Sequence, residues 1–276
     1  MAGNAGNAGN AGNAGNAGNA GNVANAGSSG GGWIFPDRVD LPFITETGVS
    51  TNRTTVTEFP DRSWTPDWYA WRLLAEFAIH GGWSSITVAK PNYANTGAEI
   101  DALVTMAKDE RTDALGEIFA QNDEFLSYFM ALLTITPNSH PNTCRVIATA
   151  SLIALQVAMH WKSHYKRPRP SQICPALLPP IQVPGHASYP SGHATQSHLI
   201  ALGLKLVIPA SVQPMADDLT VLAGRIARNR QIAGLHYQSD TDAGVRLASD
   251  IYSILIDKTS VPSFDALITA AQGEWP

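Results

Sequence analysis

A polar turn, Pro190-Ser191-Gly192-His193, leads directly into an apolar pattern with helical spacing. Pro190 and Gly192 interrupt the preceding chain, Ser191 is a favoured N-cap residue, and His193 falls in the first turn of the predicted helix. A helix N-terminus attracts anions because its first N–H groups are unpaired and the helix dipole is positive there. The turn therefore predicts half of a site for a phosphate-like oxyanion, with an imidazole that can transfer a proton. A capped helix with a surface histidine would give the same pattern.

The second candidate segment is basic and lies between Lys162 and Pro170, where a long predicted helix ends. It holds four lysine and arginine side chains within eight residues of a chain whose formal net charge is −5. Pro168 and Pro170 favour an extended backbone around Arg169, which limits the conformational entropy that its guanidinium loses on binding. Cations at this density suit an oxyanion, although a solvated basic helix end would also fit the helix dipole.

The third candidate segment runs from Arg225 to Asp240 and contains a histidine at a predicted helix junction. Gly234 ends one helical pattern, and Ser239 or Asp240 can cap the next, so His236 lies in the turn between them. Asp240 follows His236 by four residues and can hold one imidazole nitrogen, which leaves the other as a nucleophile or a ligand. A histidine paired with a helix-capping aspartate is the alternative interpretation.

In chain order the three segments read Lys-x6-Arg-Pro, Pro-Ser-Gly-His and Arg-x5-His-x3-Asp, within 80 residues. This combination resembles the tripartite signature of the type 2 phosphatidic acid phosphatase and vanadium haloperoxidase superfamily. The matching positions are Lys162, Arg169, Pro170, Pro190, Ser191, Gly192, His193, Arg230, His236 and Asp240. One position departs from the pattern, because Asn229 precedes Arg230 where the family usually has serine. The chain looks more like the soluble branches, bacterial acid phosphatases and haloperoxidases, than like the lipid phosphatases.

For a phosphatase, the resemblance implies a soluble, metal-independent phosphomonoester hydrolase that acts on a small phosphorylated substrate. The groups implied to bind the phosphoryl oxygens are Lys162, Arg169, Ser191, Gly192 and Arg230. His236, oriented by Asp240, would attack phosphorus to form a phosphohistidine, and His193 would act as general acid and then general base. No metal or cofactor is implied, because the cationic side chains replace the charge that a divalent ion supplies elsewhere.

For a haloperoxidase, the same resemblance implies that vanadate is bound as cofactor, with His236 as its axial ligand and with peroxide and halide as substrates. His186, seven residues before His193, lies where the bromoperoxidases have a second active-site histidine, but it would equally suit a substrate contact. The chain is short for a haloperoxidase, so the phosphatase is the favoured prediction. A third alternative is a module that binds the oxyanion without turnover, against which the presence of both histidines and Asp240 argues.

Helices are the elements that must position these residues. Apolar residues recur at helical spacing over residues 99–108, 112–119, 124–135, 142–164, 191–207, 212–232, 240–257 and 264–271. A further helix starts at Thr65-Pro66-Asp67 and ends at Gly81-Gly82, and its Trp68 and Trp71 are predicted to face the core. No segment alternates as a strand, so the predicted fold class is all-α, a single helical bundle. This agrees with the bundle that the resemblance implies.

The chain is expected to have two parts, a leader over residues 1–32 and one all-α domain over residues 33–276. Residues 2–22 are seven Ala-Gly-Asn triplets, and a Ser/Gly run follows. With almost nothing apolar to bury, the leader is predicted to be disordered. The start of the domain is rich in proline and is predicted to be an extended arm anchored by Trp33, Phe35 and Phe43.

The composition limits the partners and the location of the protein. A net charge of −5 gives no reason to expect nucleic acid as a partner. The most apolar run, Val146–Trp161, is interrupted by polar residues and is shorter than the ~20 residues of a membrane span, so it predicts a buried helix. No secretory signal is apparent, so the protein is expected to be soluble and by default cytoplasmic, with export as the open alternative. Cys144 and Cys174 have neither metal-site nor disulfide spacing and are predicted to be free thiols.

Overall fold

A computed structural model describes residues 58–212 and 214–276, together with the backbone of residues 44–45 and 48–49. The predicted leader, residues 1–32, lies outside the described residues. The predicted anchors of the arm, Trp33, Phe35 and Phe43, lie outside them too.

Ten α-helices lie in the described part of the chain, and short 3-10 turns join some of them. In chain order they are α1 (Pro66–His80), α2 (Thr96–Asp109), α3 (Arg111–Asp123), α4 (Leu126–Leu132), α5 (Pro141–Tyr165), α6 (Pro170–Ile173), α7 (Gly192–Val207), α8 (Met215–Ile232), α9 (Gln238–Leu255) and α10 (Pro262–Gln272). One antiparallel pair of two residues each, β1 (Ile44–Thr45) and β2 (Gly48–Val49), precedes them. The all-α prediction is confirmed.

Proline begins four of these helices, namely Pro66 in α1, Pro141 in α5, Pro170 in α6 and Pro262 in α10. Its fixed φ suits the first helical position, where the missing N–H would have no partner within the helix. Such starts are encoded locally: the predicted start of α1 agrees with Pro66, and the predicted starts of α5 and α10 lie within two residues of the observed ones. The short α6 is not among the predicted helices.

α7 lies at the centre of the bundle and packs against α5, α8 and α9, while α5 also packs against α1 and α10. The core between them is aliphatic, with Val146, Ile153, Leu199, Ile200 and Leu247 at most 1% exposed. Burying a side chain of this size stabilises the fold by about 1.5–3 kcal/mol. The central position of α7 fixes the place of its N-terminal turn, which is the polar segment Pro190-Ser191-Gly192-His193.

The stretch Pro141–Ile173, which contains α5, is long and apolar enough to cross a membrane by length and composition alone. Of its most apolar window, 72% is buried inside the protein. Since core helices of soluble proteins pass the same test, this is weak support for a membrane span. The packing of α5 between α1 and α7 agrees with the predicted buried helix, and the cellular location stays a prediction.

The prediction for the aromatic stripe of α1 is wrong. Trp68 and Trp71 are 63% and 53% exposed, and the buried face of α1 carries Ala70, Leu73 and Phe77. Both sets of residues have helical spacing, so periodicity alone favours neither face. The position of α5 decides which face is buried.

Candidate active site

The three polar segments lie side by side because of how three helix ends are built. α5 ends at Tyr165, and Lys166 turns the chain in a left-handed conformation with φ 51°. Ser191 caps α7 by accepting a hydrogen bond of 3.4 Å from the N–H of Ala194, as predicted. Gly234, with φ 77°, turns the chain between α8 and α9 in a conformation that favours glycine.

His236 is buried, and its two ring nitrogens have different partners. Nδ1 lies 3.0 Å from Asp240 Oδ2, and Nε2 lies 3.0 Å from Arg169 Nη1. Because a carboxylate only accepts and a guanidinium only donates, we assign the ring proton to Nδ1 and the lone pair to Nε2. Burial, followed by the charges of Arg169, Lys162 and Arg230, lowers the pKa of His236 well below its ordinary value. His236 is therefore neutral at pH 7, with Nε2 suited to be a nucleophile or a ligand.

Asp240 is fully buried and connects the three segments. Its Oδ1 accepts a hydrogen bond of 2.7 Å from Arg167 Nη1, and its Oδ2 accepts from Ser188 Oγ as well as from His236. Its backbone carbonyl accepts from the N–H of Ser191 at 2.9 Å. The first turn of α9 is thereby attached to both the basic segment and the start of α7.

Arg167 lies beneath this arrangement and was not among the predicted site residues. Its guanidinium lies 2.7 Å from Asp240 Oδ1 and 2.8 Å from Glu99 Oε2, and its Cζ is 3.8 Å from the ring centroid of Tyr237. Burial acts to lower the pKa of Arg167, but Asp240 and Glu99 together raise it. Glu99 Oε1 also accepts a hydrogen bond of 2.8 Å from the N–H of Ser239. Arg167 thus fixes the position of Asp240, and removing one partner from such a buried pair typically costs about 3–5 kcal/mol.

Arg169 is 2% exposed and extends across the site. Its Nε donates to the carbonyl of His186 at 3.0 Å, and Nη2 lies 3.1 Å from Nδ1 of the same residue. On the opposite side, Nη1 donates to the carbonyl of Leu235 at 3.0 Å and to His236 Nε2. Burial lowers the pKa of Arg169 to about 10, against the opposing charge of Asp240, so the guanidinium stays charged at neutral pH.

Lys162 is buried at the last turns of α5. Its Nζ donates to the carbonyls of Ala187 at 2.9 Å and Ser188 at 2.7 Å, which leaves one of the three ammonium N–H groups for another acceptor. Burial, followed by the charge of Arg169, lowers the pKa of Lys162 well below its ordinary value. Its Cε lies 3.8 Å from the position that a Cβ would take on Gly192, so Lys162 lies against the start of α7.

Arg230 carries two buried donors, and His193 one buried ring nitrogen, that have no partner among the described residues. Nη2 of Arg230 donates to Asn122 Oδ1 at 3.2 Å, whereas its Nε and Nη1 have no acceptor within the described structure. His193 packs on Phe125 with ring centroids 4.9 Å apart, and its Nε2 likewise has none. Burial lowers the pKa of Arg230 to about 9, and burial followed by the charge of Arg230 lowers the pKa of His193 well below its ordinary value. Buried donors without acceptors are costly, and they indicate a place for a ligand rich in acceptors.

The charged cluster around His236 consists of Lys162, Arg167, Arg169, Arg230, Glu99 and Asp240. Its charges do not balance. Among the described residues, Lys162, Arg169 and Arg230 contact no carboxylate, whereas Arg167 contacts two. When all four cations are charged and both histidines are neutral, the cluster carries two net positive charges. A buried excess of this size is unfavourable by itself and complements a dianion such as a phosphate monoester.

The remaining predicted residues take different positions. Ser191 and Gly192 are buried at the start of α7. The oxygen of Ser191 accepts the cap bond, and its O–H is left to donate to a ligand. His186 is half-buried at the outer edge of the cluster, with its Nδ1 3.0 Å from the carbonyl of Ala187.

Asn229, the departure from the family pattern, faces α3. Its Nδ2 donates to Glu117 Oε2 and to Gln121 Oε1, at 2.9 Å each. Its amide therefore takes part in the contact between α8 and α3, and not in the charged cluster.

Five residues of the cluster are not identified by the sequence analysis: Glu99, Asn122, Phe125, Arg167 and Ser188. Arg167 carries a signal, since it belongs to the basic segment and precedes a proline as Arg169 does. Ser188 also lies close to a predicted residue, His186. The other three come from α2, from α3 and from the residue before α4, and no local pattern connects them with the motifs.

Cys144 and Cys174 are free cysteines, as predicted. In the part of the chain that the structure describes, no group of three or more His, Cys, Asp or Glu side chains is placed to hold a metal ion. Independence from metals and cofactors stays a prediction.

Comparison with known proteins supports phosphatase-like chemistry for one part of the chain. No family model matches the sequence. Two curated proteins of Mycobacterium tuberculosis, from strains CDC 1551 / Oshkosh and ATCC 25618 / H37Rv, are each 31% identical to the chain over 110 residues. Both are named decaprenylphosphoryl-5-phosphoribose phosphatase, and the match covers 40% of this chain and 58% of each relative. One part of this chain is thus similar to part of a phosphatase, and the described part of this chain has an all-helical fold.

Proposed function

We propose that this protein is a phosphomonoester hydrolase of the type 2 phosphatidic acid phosphatase and vanadium haloperoxidase superfamily. One observation carries the proposal: four buried cationic side chains and only two carboxylates lie around a buried imidazole whose Nδ1 contacts a carboxylate and whose Nε2 contacts a guanidinium. The three-part motif and the partial likeness to a phosphatase support the same conclusion.

In the proposed reaction, the phosphoryl oxygens bind to the groups with unpaired donors or charge. These groups are Lys162, Arg169, Ser191, the N–H of Gly192, and Arg230. Donors preorganised in a buried site stabilise the charge that develops in the transition state, because they need no reorganisation when the bond breaks. The N–H of Arg169 that donates to His236 Nε2 in the free protein donates to a phosphoryl oxygen instead. The lone pair of His236 Nε2 is then free to react.

His236 Nε2 then attacks phosphorus, the P–O bond of the ester breaks, and a phosphohistidine forms. Asp240 accepts the Nδ1–H bond and stabilises the positive charge that develops on the ring. His193 gives its proton to the leaving alkoxide and later takes one from the water that releases phosphate, a role typically worth about 10²–10⁴-fold in rate.

Vanadium haloperoxidase chemistry is the alternative that the motif leaves open. The orphaned donors of Arg230 and the charges of Lys162 and Arg169 would fit vanadate as well as phosphate, since both are tetrahedral oxyanions. Bound vanadate would supply the activation of peroxide for halide oxidation. A binding module without turnover is the third candidate, although binding alone requires no nucleophile held by a carboxylate.

The deciding experiment compares two activities of the purified 276-residue chain, ester hydrolysis and bromination. We expect hydrolysis of p-nitrophenyl phosphate, and we expect His236→Ala to lower kcat by at least about 10³-fold because the nucleophile is lost. The matched control is the exposed His164→Ala, and circular dichroism and thermal unfolding report whether each variant is folded.

The second activity is bromination of a dye after incubation with orthovanadate and peroxide. Bromination that requires vanadate, without ester hydrolysis, would overturn the phosphatase in favour of the haloperoxidase. Hydrolysis that persists in folded His236→Ala would remove His236 as the nucleophile. A wild-type protein without either activity would be the binding module.

A further inference from the structure

A cavity borders the candidate active site on its outer side. It has a volume of about 740 Å³ and is formed by the loop after α5, by α6 and by the chain that leads to α7. Its polar lining residues are Lys166, Arg167, Arg169, Ser171, Gln172 and His186, and the others are proline, valine, glycine or alanine. His186 supplies the only aromatic ring in this lining, so a flat aromatic group would find little to stack on.

The lining is cationic although the protein as a whole carries a net charge of −5. None of the lining residues is aspartate or glutamate. Arg167 is balanced by its two carboxylate partners, but Lys166 and Arg169 contact no carboxylate in the described structure. A concave wall with one sign of charge raises the local concentration of ligands of the opposite sign.

Arg169 belongs to both the cavity and the proposed phosphate site. Its Nη1 lies 3.0 Å from His236 Nε2, and its Nε and Nη2 contact His186, which lines the cavity. A phosphoryl group bound at His236 therefore has this cavity next to it, on the far side of a single guanidinium.

We infer that the cavity binds a leaving group that carries a second anionic group, a carboxylate or a further phosphate, and that Lys166 contacts this group. The inference rests on the proposed phosphatase function and specifies its preferred substrate class: phosphomonoesters with two anionic ends. Arg169 binds the scissile phosphoryl group, and Lys166 at the cavity wall recognises the other end.

The test compares two matched substrates, glycerol 1-phosphate and 3-phosphoglycerate, which differ in a hydroxymethyl against a carboxylate group. Phosphate release by the 276-residue chain gives kcat/KM for each compound. The measured ratio is kcat/KM for 3-phosphoglycerate divided by kcat/KM for glycerol 1-phosphate. We expect a ratio above one in the wild type and a fall of about two- to fivefold in Lys166→Gln, the effect of losing one solvent-exposed ion pair. The ratio in Lys166→Arg should stay close to that of the wild type, because the charge is kept.

Lys108→Gln is the matched control, since Lys108 is exposed on α2 and does not line the cavity. A wild-type ratio of one or less, or the same fall in Lys108→Gln as in Lys166→Gln, would overturn the inference while phosphate release upholds the phosphatase. If neither compound is hydrolysed, nor p-nitrophenyl phosphate, the proposed function fails. Calorimetric binding of the same two compounds then tests the inference about the cavity by itself. Tighter binding of 3-phosphoglycerate that weakens in Lys166→Gln supports recognition of the second anionic group by Lys166. Equal binding of the two compounds refutes it.

Discussion

Among single residues, the two buried histidines are neutral for the same reason but have different contacts. Burial and the surrounding cations lower the pKa of both His193 and His236 well below their ordinary values. His236 has a partner at each nitrogen, whereas His193 Nε2 has none among the described residues. A general acid must carry a proton, so His193 can act as one only after the site has bound an anion.

Anion binding should therefore be coupled to proton uptake. In the free protein, burial and then the charges of Arg230, Lys162 and Arg169 lower the pKa of His193 well below 6.5, and a bound dianion offsets those charges. We expect sulfate, which itself does not titrate near neutrality, to bind at pH 6.5 with uptake of up to about one proton. Calorimetry in buffers of different ionisation enthalpy measures this number.

His193→Gln should bind sulfate with less proton uptake, and the exposed His164→Gln should behave like the wild type. Equal uptake in His193→Gln would assign the proton to another group. Absence of sulfate binding to the wild type would argue against the oxyanion site itself.

Among the helices, the contact between α7 and α9 holds the two halves of the site together. A Cβ on Gly244 of α9 would lie 2.7 Å from the carbonyl oxygen of Ser191 and 2.9 Å from Ala194 Cβ. Only glycine lets α9 approach the start of α7 this closely. The same approach allows the Ser191 N–H to reach the carbonyl of Asp240.

Gly244→Ala should therefore displace α9 from α7. We expect a loss of about 1–3 kcal/mol in the free energy of unfolding, the usual cost of overpacking, measured by urea denaturation. We also expect a lower kcat/KM for p-nitrophenyl phosphate, because the turn at Ser191 and the carboxylate of Asp240 shift relative to each other.

Gly224→Ala is the matched control for this substitution. Gly224 is exposed within α8, and nothing lies within 4 Å of the position of its Cβ. Alanine there should raise the free energy of unfolding by up to about 1 kcal/mol through its higher helix propensity. Equal effects of the two substitutions would show that the close approach at Gly244 is unimportant.

In the molecule as a whole, the charged cluster lowers the stability of the free protein and should make it dependent on anions. Burial lowers the pKa of Lys162, Arg169 and Arg230, and the charge of Arg169 lowers the pKa of the other two further. A bound dianion offsets this repulsion. A ligand at 100 times its Kd adds about 2.7 kcal/mol to the free energy of unfolding. For a domain of this size that corresponds to roughly 5–10 °C in Tm.

We expect phosphate to raise Tm well above the value in chloride at equal ionic strength, measured by thermal unfolding. Arg230→Gln should lose most of this increase because the orphaned donors are removed. Arg225→Gln should keep it, since Arg225 is 64% exposed on the same helix and pairs with Glu117. The same increase in chloride would contradict a specific site.

The sequence by itself determines which segments are helices, except for the short α6, and which residues are candidates for the chemistry. Proline at the first position, glycine at the ends and apolar periodicity act over a few residues, so they predict helix boundaries without knowledge of the fold. The pairing of His236 with Asp240 is equally local, because four residues place both side chains in the same turn.

Only the tertiary structure decided how these residues are supported and charged. Arg167 meets Glu99 across 68 positions of the chain, and Arg230 meets Asn122 across 108. Trp68 and Trp71 are exposed because of where α5 packs on α1. Contacts of this kind depend on how helices are arranged in space, which local spacing does not encode. The net charge of the cluster follows from them, since Arg167 is neutralised by carboxylates and the other three cations are not.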